Sequence, residues 1–175
     1  MGMVGGDLSR LATAMVFLPT EEKMRDRARA ILEDAVVRTG IVALGWRVVP
    51  TDPSVLGASA LKSLPGIEQL FFERPSGMSS AEFDRALYLA RARAEAGYRR
   101  EDIDCYIVSM SARTVVYKGL MVATDLSRFF PDLEDERTVS SIALFHQRFA
   151  TNTLATWPLA QPFRLIAHNG EINTL

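Results

Sequence analysis

The sequence has one cysteine, two histidines and no long apolar run, and each of these scarcities excludes a class of protein. A single cysteine in 175 residues excludes an internal disulfide and is typical of a reducing compartment. No apolar run reaches the about 20 residues of a membrane-spanning helix. The N-terminus lacks the basic segment and apolar core of a secretory signal. These features predict a cytoplasmic protein that does not bind a membrane.

Excess charge of either sign is also missing. Lysine and arginine total 20 against 21 aspartate and glutamate residues, so the net charge is −1 and nothing favours nucleic acid as a partner. One predicted helix carries several arginines, but acidic neighbours offset them, and a solvated surface is favoured over RNA binding; these arginines are Arg85, Arg91, Arg93, Arg99 and Arg100. The two histidines lie 22 positions apart outside any metal-binding motif, which predicts no metal site.

What the sequence does contain is a mixture of predicted helices and strands in a chain long enough for a sizeable core. Apolar runs predict strands at 11–18, 41–49 and 66–73, and two strands joined by a turn within 105–118. A helix is expected from an N-cap at Thr20 to a stop at Gly40. A second is expected from a Ser79–Glu82 capping box to Gly97, and a short third after Thr124.

The stretch from 142 to 175 holds the candidate functional residues. Two apolar runs, 142–145 and 163–167, are predicted to be buried strands, and each ends in a polar cluster. The first cluster contains His146 and Arg148, and the second contains His168, Asn169 and Gly170. Polar residues at strand ends lie where a rigid scaffold can present them to a ligand.

These residue types have a specific chemical use. The Asn169 side chain and the Gly170 backbone N–H are the two kinds of donor that build an oxyanion hole. Arg148 has the planar fork that binds a carboxylate with two hydrogen bonds. Taken alone, however, Asn169-Gly170 is first of all the signal of a type I′ hairpin turn, and Arg148 could be a structural ion-pair residue.

A cysteine–histidine pair is a separate alternative. Cys105 could be activated by His146 or His168, but it stands at the start of an apolar strand, where a lone cysteine is usually a small buried hydrophobe. The two histidines each flank a motif and are expected to support the site by hydrogen bonding rather than to act as bases.

The motifs HQRFATNT, AQPF and HNGEINTL resemble the glutaminase domain of the glutamate synthase large subunit, a class II (N-terminal-nucleophile) glutamine amidotransferase. Upstream, AMVFLP, YIVSMSARTVVYKGLM and FFPDLEDERTVSSIALFHQRFATNT resemble the same family. The resemblance implies that Arg148 binds the glutamine α-carboxylate, that Thr151 and Asn152 line its pocket, and that Asn169 and Gly170 form the oxyanion hole.

The resemblance also implies an α+β fold, a partial four-layer αββα sandwich in which two antiparallel sheets lie between helices. Residues 1–175 would be a single, incomplete domain of this type. The family's nucleophile is a cysteine at the mature N-terminus, whose α-amine acts as the base. This chain begins Met1-Gly2-Met3, and it also ends before the family's acidic substrate-binding residue. By itself it is therefore expected not to hydrolyse glutamine.

In the complete enzyme, the resemblance implies that glutamine yields glutamate and ammonia for reductive synthesis of glutamate from 2-oxoglutarate. FMN and an iron–sulfur cluster would belong to other parts of that enzyme, and no cofactor is expected in this chain. The expected partners are L-glutamine, the remaining domains of the large subunit and a small subunit. Two alternatives stay open: an inactive module that binds an amino acid or a partner, and a truncated product without function.

Overall fold

The computed structural model describes residues 8–147, 149 and 154–164. The elements are β1 (Leu11–Leu18), α1 (Glu22–Val37), β2 (Val42–Val48), α2 (Ala58–Lys62), β3 (Gly66–Glu73), α3 (Ser80–Arg100), β4 (Tyr106–Ser111) and α4 (Leu126–Phe129). The chain divides into two compact units. We call them the sheet unit (Met1–Val48 and Gly66–Val115) and the loop unit (Val49–Pro65 and Val116–Leu175).

The sheet unit contains a four-stranded antiparallel sheet with the order β2-β3-β1-β4. β1 pairs with β3 along its whole length, from Leu11 opposite Glu73 to Leu18 opposite Gly66. β1 is buried over nearly all of its length, whereas β2, at one edge, is largely exposed. The three strands predicted at 11–18, 41–49 and 66–73 are thus confirmed. In each of them an apolar run bounded by proline or glycine indicated a strand correctly.

One face of this sheet packs against α1 and α3. Alternate β1 residues, Ala12, Ala14, Val16 and Leu18, point into a core shared with both helices, as expected from the two-residue period of a strand. The helices meet closely at Gly97, where an added Cβ would lie 2.7 Å from Ile31 Cγ2. The buried helix residues are Ala28, Leu32, Ala35, Val36, Phe83, Ala86, Leu87, Ala90, Ala94, Gly97 and Tyr98.

The helix ends test the predicted caps. The Ser79–Glu82 capping box is present: Ser79 Oγ accepts from the Glu82 N–H at 3.3 Å, and Glu82 Oε2 accepts from the Ser79 N–H at 2.8 Å. α3 then continues to Arg100, three residues beyond the predicted stop, because Gly97 is needed for close helix packing and not for a turn. The Thr20 cap is wrong, since Glu21 occupies the N-cap of α1 without a side-chain hydrogen bond.

Two predicted strands are also wrong. Only one strand, β4, occurs within 105–118, and the described residues that follow it to Tyr117 are irregular. The run 142–145 is neither a strand nor buried: Ile142 is 82% exposed and Phe145 is 81% exposed. Residues 163 and 164 are not in a strand, and 165–167 lie outside the described residues.

The α+β class is confirmed, with helices on an antiparallel sheet. No helix in the described part of the chain is long and apolar enough to cross a membrane.

Candidate functional site

The loop unit contains a cavity of about 400 Å³. Its walls come from segment 117–126, from residues 144–147 with Phe149, and from 160–162. Most of the lining is apolar, with Lys118, Thr124, His146, Gln147 and Gln161 as its polar members. Ligand pockets in proteins are typically about 300–1,000 Å³ and combine apolar walls with a few polar groups. The cavity therefore has the size and chemistry of a small-molecule site.

Three lining residues, His146, Gln147 and Phe149, are the sequence neighbours of Arg148. Two members of the polar cluster at 146–148, His146 and Gln147, therefore line the cavity. His146 is half-buried and Gln147 is exposed.

Lys118 is the most deeply buried charged group of this cavity, with 2% of its surface exposed. Its Nζ donates to the Pro158 carbonyl oxygen at 2.7 Å and lies 5.3 Å from the centre of the Phe163 ring. Burial, together with the positive charge of Arg164, lowers the pKa of Lys118 to about 7. Burial therefore makes the charged form of this side chain less favourable than it is in water.

An aromatic cluster supports the same region. Phe129 packs edge-on against Phe130 at 4.6 Å between ring centres, and Trp157 packs against Phe129 at 5.8 Å. The Trp157 indole Nε1–H donates to the Ala60 carbonyl oxygen at 3.3 Å, which satisfies a polar group on a side chain that is 3% exposed.

Gly119 makes room for this cluster. A Cβ at this position would lie 2.6 Å from Trp157 Cζ3 and would also overlap the Met121 methyl group. Only glycine lets the backbone after Lys118 approach the indole so closely.

The predicted site residues Arg148, Thr151, Asn152, Asn169 and Gly170 lie outside the described residues, as does His168. Their roles remain predictions. The residues that sequence reasoning missed are Lys118 and Trp157. One signal was available for Lys118: it is a lone charge in the apolar run VVYKGLM, and a buried lysine there needs a partner.

The surroundings of Cys105 do not favour a nucleophile. It is partly buried, and burial raises the pKa of its thiol to about 12. The reactive form of a cysteine is the thiolate, which such an environment disfavours near neutral pH. The geometry supports the structural alternative. Among the described residues, no group of three or more histidine, cysteine, aspartate and glutamate side chains is arranged to hold a metal ion.

The α+β fold and the motifs RFATNT and HNGEINTL agree with one family. Residues 2–175 match the family described as class-II glutamine amidotransferases. The chain belongs to this family.

Within the family, the similar proteins are glutamate synthases. The chain is 44% identical to the glutamate synthase (NADPH) large chain of Azospirillum brasilense over 169 residues, which is 95% of this chain. It is 46% identical to ferredoxin-dependent glutamate synthase 2 of Synechocystis sp. over 97% of its length, and 41% identical to the large chain of Bacillus subtilis over 95%. The chain spans about 11% of the length of each of these relatives.

Proposed function

We propose that this chain carries the substrate clamp and the oxyanion hole of a glutaminase site, and that this site serves a glutamate synthase. The observation that carries the proposal is the joint presence of RFATNT and HNGEINTL in a chain that matches the class II amidotransferases over residues 2–175. A lone Asn-Gly turn or a lone arginine would not explain both motifs together.

In the proposed complex, Arg148 holds the α-carboxylate of L-glutamine through two parallel N–H···O bonds. Thr151 and Asn152 line the pocket around the bound amino acid. The clamp fixes the side-chain amide relative to the nucleophile, and such positioning removes much of the entropic cost of the reaction.

The chemical step requires a thiolate that attacks the amide carbon of glutamine. The carbonyl oxygen then becomes an oxyanion, which Asn169 Nδ2 and the Gly170 N–H stabilise by hydrogen bonds. Collapse of the tetrahedral intermediate breaks the C–N bond, and the nitrogen leaves as ammonia after protonation. Water then hydrolyses the thioester to give glutamate. The nucleophile would be the N-terminal cysteine that the family resemblance implies, with its α-amine as the base, because the thiol of Cys105 stays protonated.

The complete protein would deliver this ammonia to a synthase domain that forms glutamate from 2-oxoglutarate, in the cytoplasm. Its partners would be the remaining domains of the large subunit and a small subunit. FMN and an iron–sulfur cluster would belong to those other domains. The one cysteine of these 175 residues does not fit the four thiolates that usually hold such a cluster.

A second candidate function is glutamine binding without hydrolysis. It is favoured for these 175 residues by themselves, because burial raises the pKa of their one cysteine, Cys105, and disfavours its thiolate. This candidate shares Arg148 with the first and differs from it in needing no nucleophile.

Calorimetric titration with glutamine tests the binding that both candidates require. Arg148→Ala is expected to weaken binding by about 100-fold, as the loss of a bidentate charged pair costs roughly 3 kcal/mol. Arg137→Ala is the matched control, since its side chain is 90% exposed, and it should leave the affinity unchanged. Absence of binding at millimolar glutamine would remove both candidates.

Turnover separates the two candidates, because only the first one hydrolyses glutamine. Hydrolysis requires the N-terminal cysteine. The intact mass and the N-terminal residue of the protein isolated from its own cells show whether a cysteine begins the mature chain. In such a protein, Asn169→Ala should lower kcat by about 100–1,000-fold. A loss smaller than tenfold would contradict the oxyanion assignment.

A further inference from the structure

The segment 154–164 lies between the two motifs that carry the proposed glutamine-binding groups, RFATNT at 148–153 and HNGEINTL at 168–175. Its residues form turns, and the structure shows no helix or strand among them. A segment without a continuous backbone ladder keeps its position through separate side-chain and backbone contacts. The groups that hold this segment therefore influence the positions in space of the two motifs that flank it.

Lys118 contacts this segment at two points. Its Nζ donates to the Pro158 carbonyl oxygen at 2.7 Å, and the same ammonium group lies 5.3 Å from the centre of the Phe163 ring. Phe163 is five residues before His168, and Pro158 is five residues after Thr153. The two contacts thus hold the segment near its middle and near its far end.

A lysine is a costly choice for this position if it only fills space. The side chain is 2% exposed, and burying an ammonium group costs free energy unless it is hydrogen-bonded. The apolar residues Leu120, Met121 and Leu126 line the same cavity, so an apolar side chain would suit this region. The feature that an apolar residue could not reproduce is the directed bond to Pro158 together with the attraction to the Phe163 ring.

We propose that Lys118 is a positioning residue for the glutamine site. Through the Pro158 carbonyl and the Phe163 ring it fixes the segment 154–164, and it thereby sets where the flanking motifs present Arg148 and Asn169. The inference rests on the proposed function, because it concerns the same site. Lys118 acts on glutamine through this segment and is not assigned a contact with the substrate.

The test compares three variants of the natural polypeptide, produced in its own cells. Lys118→Met removes the donor and the charge but keeps an unbranched apolar stem, and Lys118→Arg restores a charged donor. Lys62→Met is the matched control, because Lys62 is an exposed lysine of the same unit. Two quantities are measured for each: glutamine affinity by calorimetry, and backbone hydrogen exchange at 154–164 and in β1.

Lys118→Met is expected to weaken glutamine binding about tenfold, equivalent to about 1.4 kcal/mol, and to speed exchange at 154–164 while β1 stays protected. Lys118→Arg should recover affinity to within about threefold of wild type, and Lys62→Met should change neither quantity. Faster exchange at 154–164 with unchanged affinity would overturn the proposal and leave the proposed function intact. No binding by the wild-type protein would overturn both.

Phe163→Leu keeps the test decisive if Lys118→Met does not fold. It removes the ring and leaves the lysine and its bond to Pro158 in place. Loss of the cation–π contact is expected to weaken binding by about threefold. Unchanged affinity in a folded Phe163→Leu protein would count against the positioning role.

Discussion

The sheet unit and the loop unit are built by different means. In the sheet unit, two helices of 16 and 21 residues cover an antiparallel sheet, and backbone ladders fix most residues. In the loop unit, the described helices are short, and the fold depends on an aromatic cluster and on isolated hydrogen bonds such as Trp157 to Ala60. Binding residues are commonly found on loops that a rigid scaffold positions, which matches this division.

The two units also treat buried charge differently. In the sheet unit, Glu68 is 4% exposed and pairs with Arg29 through two N–H···O bonds. In the loop unit, Lys118 is as deeply buried but donates to a neutral carbonyl and faces a ring. The first contact joins α1 to β3 through opposite charges, whereas the second joins Lys118 to the backbone of the segment 154–164.

The largest expected effect comes from replacing a phenylalanine by alanine. We compare a buried phenylalanine of the sheet unit with an exposed one of the loop unit. Phe72→Ala removes a fully buried ring from the sheet-unit core and should lower the free energy of unfolding by about 3–5 kcal/mol. Phe145→Ala, at a side chain that is 81% exposed in the loop unit, should change it by less than about 0.5 kcal/mol. Urea denaturation measures both. Equal losses would contradict the burial of Phe72 and the exposure of Phe145.

Sequence patterns predicted the sheet unit well and the loop unit poorly, for a physical reason. The runs at 11–18 and 66–73 became β1 and β3 because both pair with neighbours along their full length. The run at 142–145 is also apolar, but its residues form no such ladder and are exposed. Burial of a strand depends on partners that are distant in sequence, and a local apolar run carries no information about them.

The candidate site shows the same limit. Its residues were predicted from motifs, and Arg148, Thr151, Asn152, Asn169 and Gly170 remain predictions because they lie outside the described residues. Lys118 was missed, since the second strand predicted within 105–118 would have placed its side chain by alternation alone. Its actual partners, Pro158 and Phe163, lie 40 and 45 positions further along the chain.

Removal of one charge from the buried pair tests the contrast in buried charge. Arg29→Met should leave Glu68 buried without its partner and lower the free energy of unfolding by about 2 kcal/mol, a value reduced because Arg29 is partly exposed. Adding Glu68→Gln should recover most of this loss. Arg128→Met, which breaks a surface ion pair with Asp125, is the control and should cost less than about 1 kcal/mol. Similar losses in the two single variants would contradict the distinction.

The pH dependence of stability tests the loop-unit lysine. Because the pKa of Lys118 is lowered to about 7 in the folded protein, the unfolded chain binds more protons between pH 7 and the ordinary lysine pKa. Stability should therefore rise with pH across this window, at most by about 1.4 kcal/mol per pH unit. Lys118→Met should remove this rise.

The comparison of wild type with Lys118→Met is best made between about pH 7 and 8. Above that range, Cys105 and Tyr98 titrate in the unfolded chain, and burial raises both of their pKa values in the folded protein. Their effect has the opposite sign, since the folded protein then binds more protons. Parallel stability curves for the two proteins would show that Lys118 titrates normally.

The smallest expected effect tests whether local sequence alone sets a boundary in the sheet unit. Ser79→Ala removes the side-chain oxygen that accepts from the Glu82 N–H and should destabilise the protein by about 1 kcal/mol. The same hydroxyl donates to Glu82 and helps to lower the pKa of that carboxyl, so the variant should also lose less stability on acidification. Ser59→Ala, at an exposed serine inside α2, is the control, and alanine should be tolerated there because it favours a helix. If both serine variants behave alike, the capping box contributes nothing to α3, and the agreement between predicted and observed helix start would rest on packing instead.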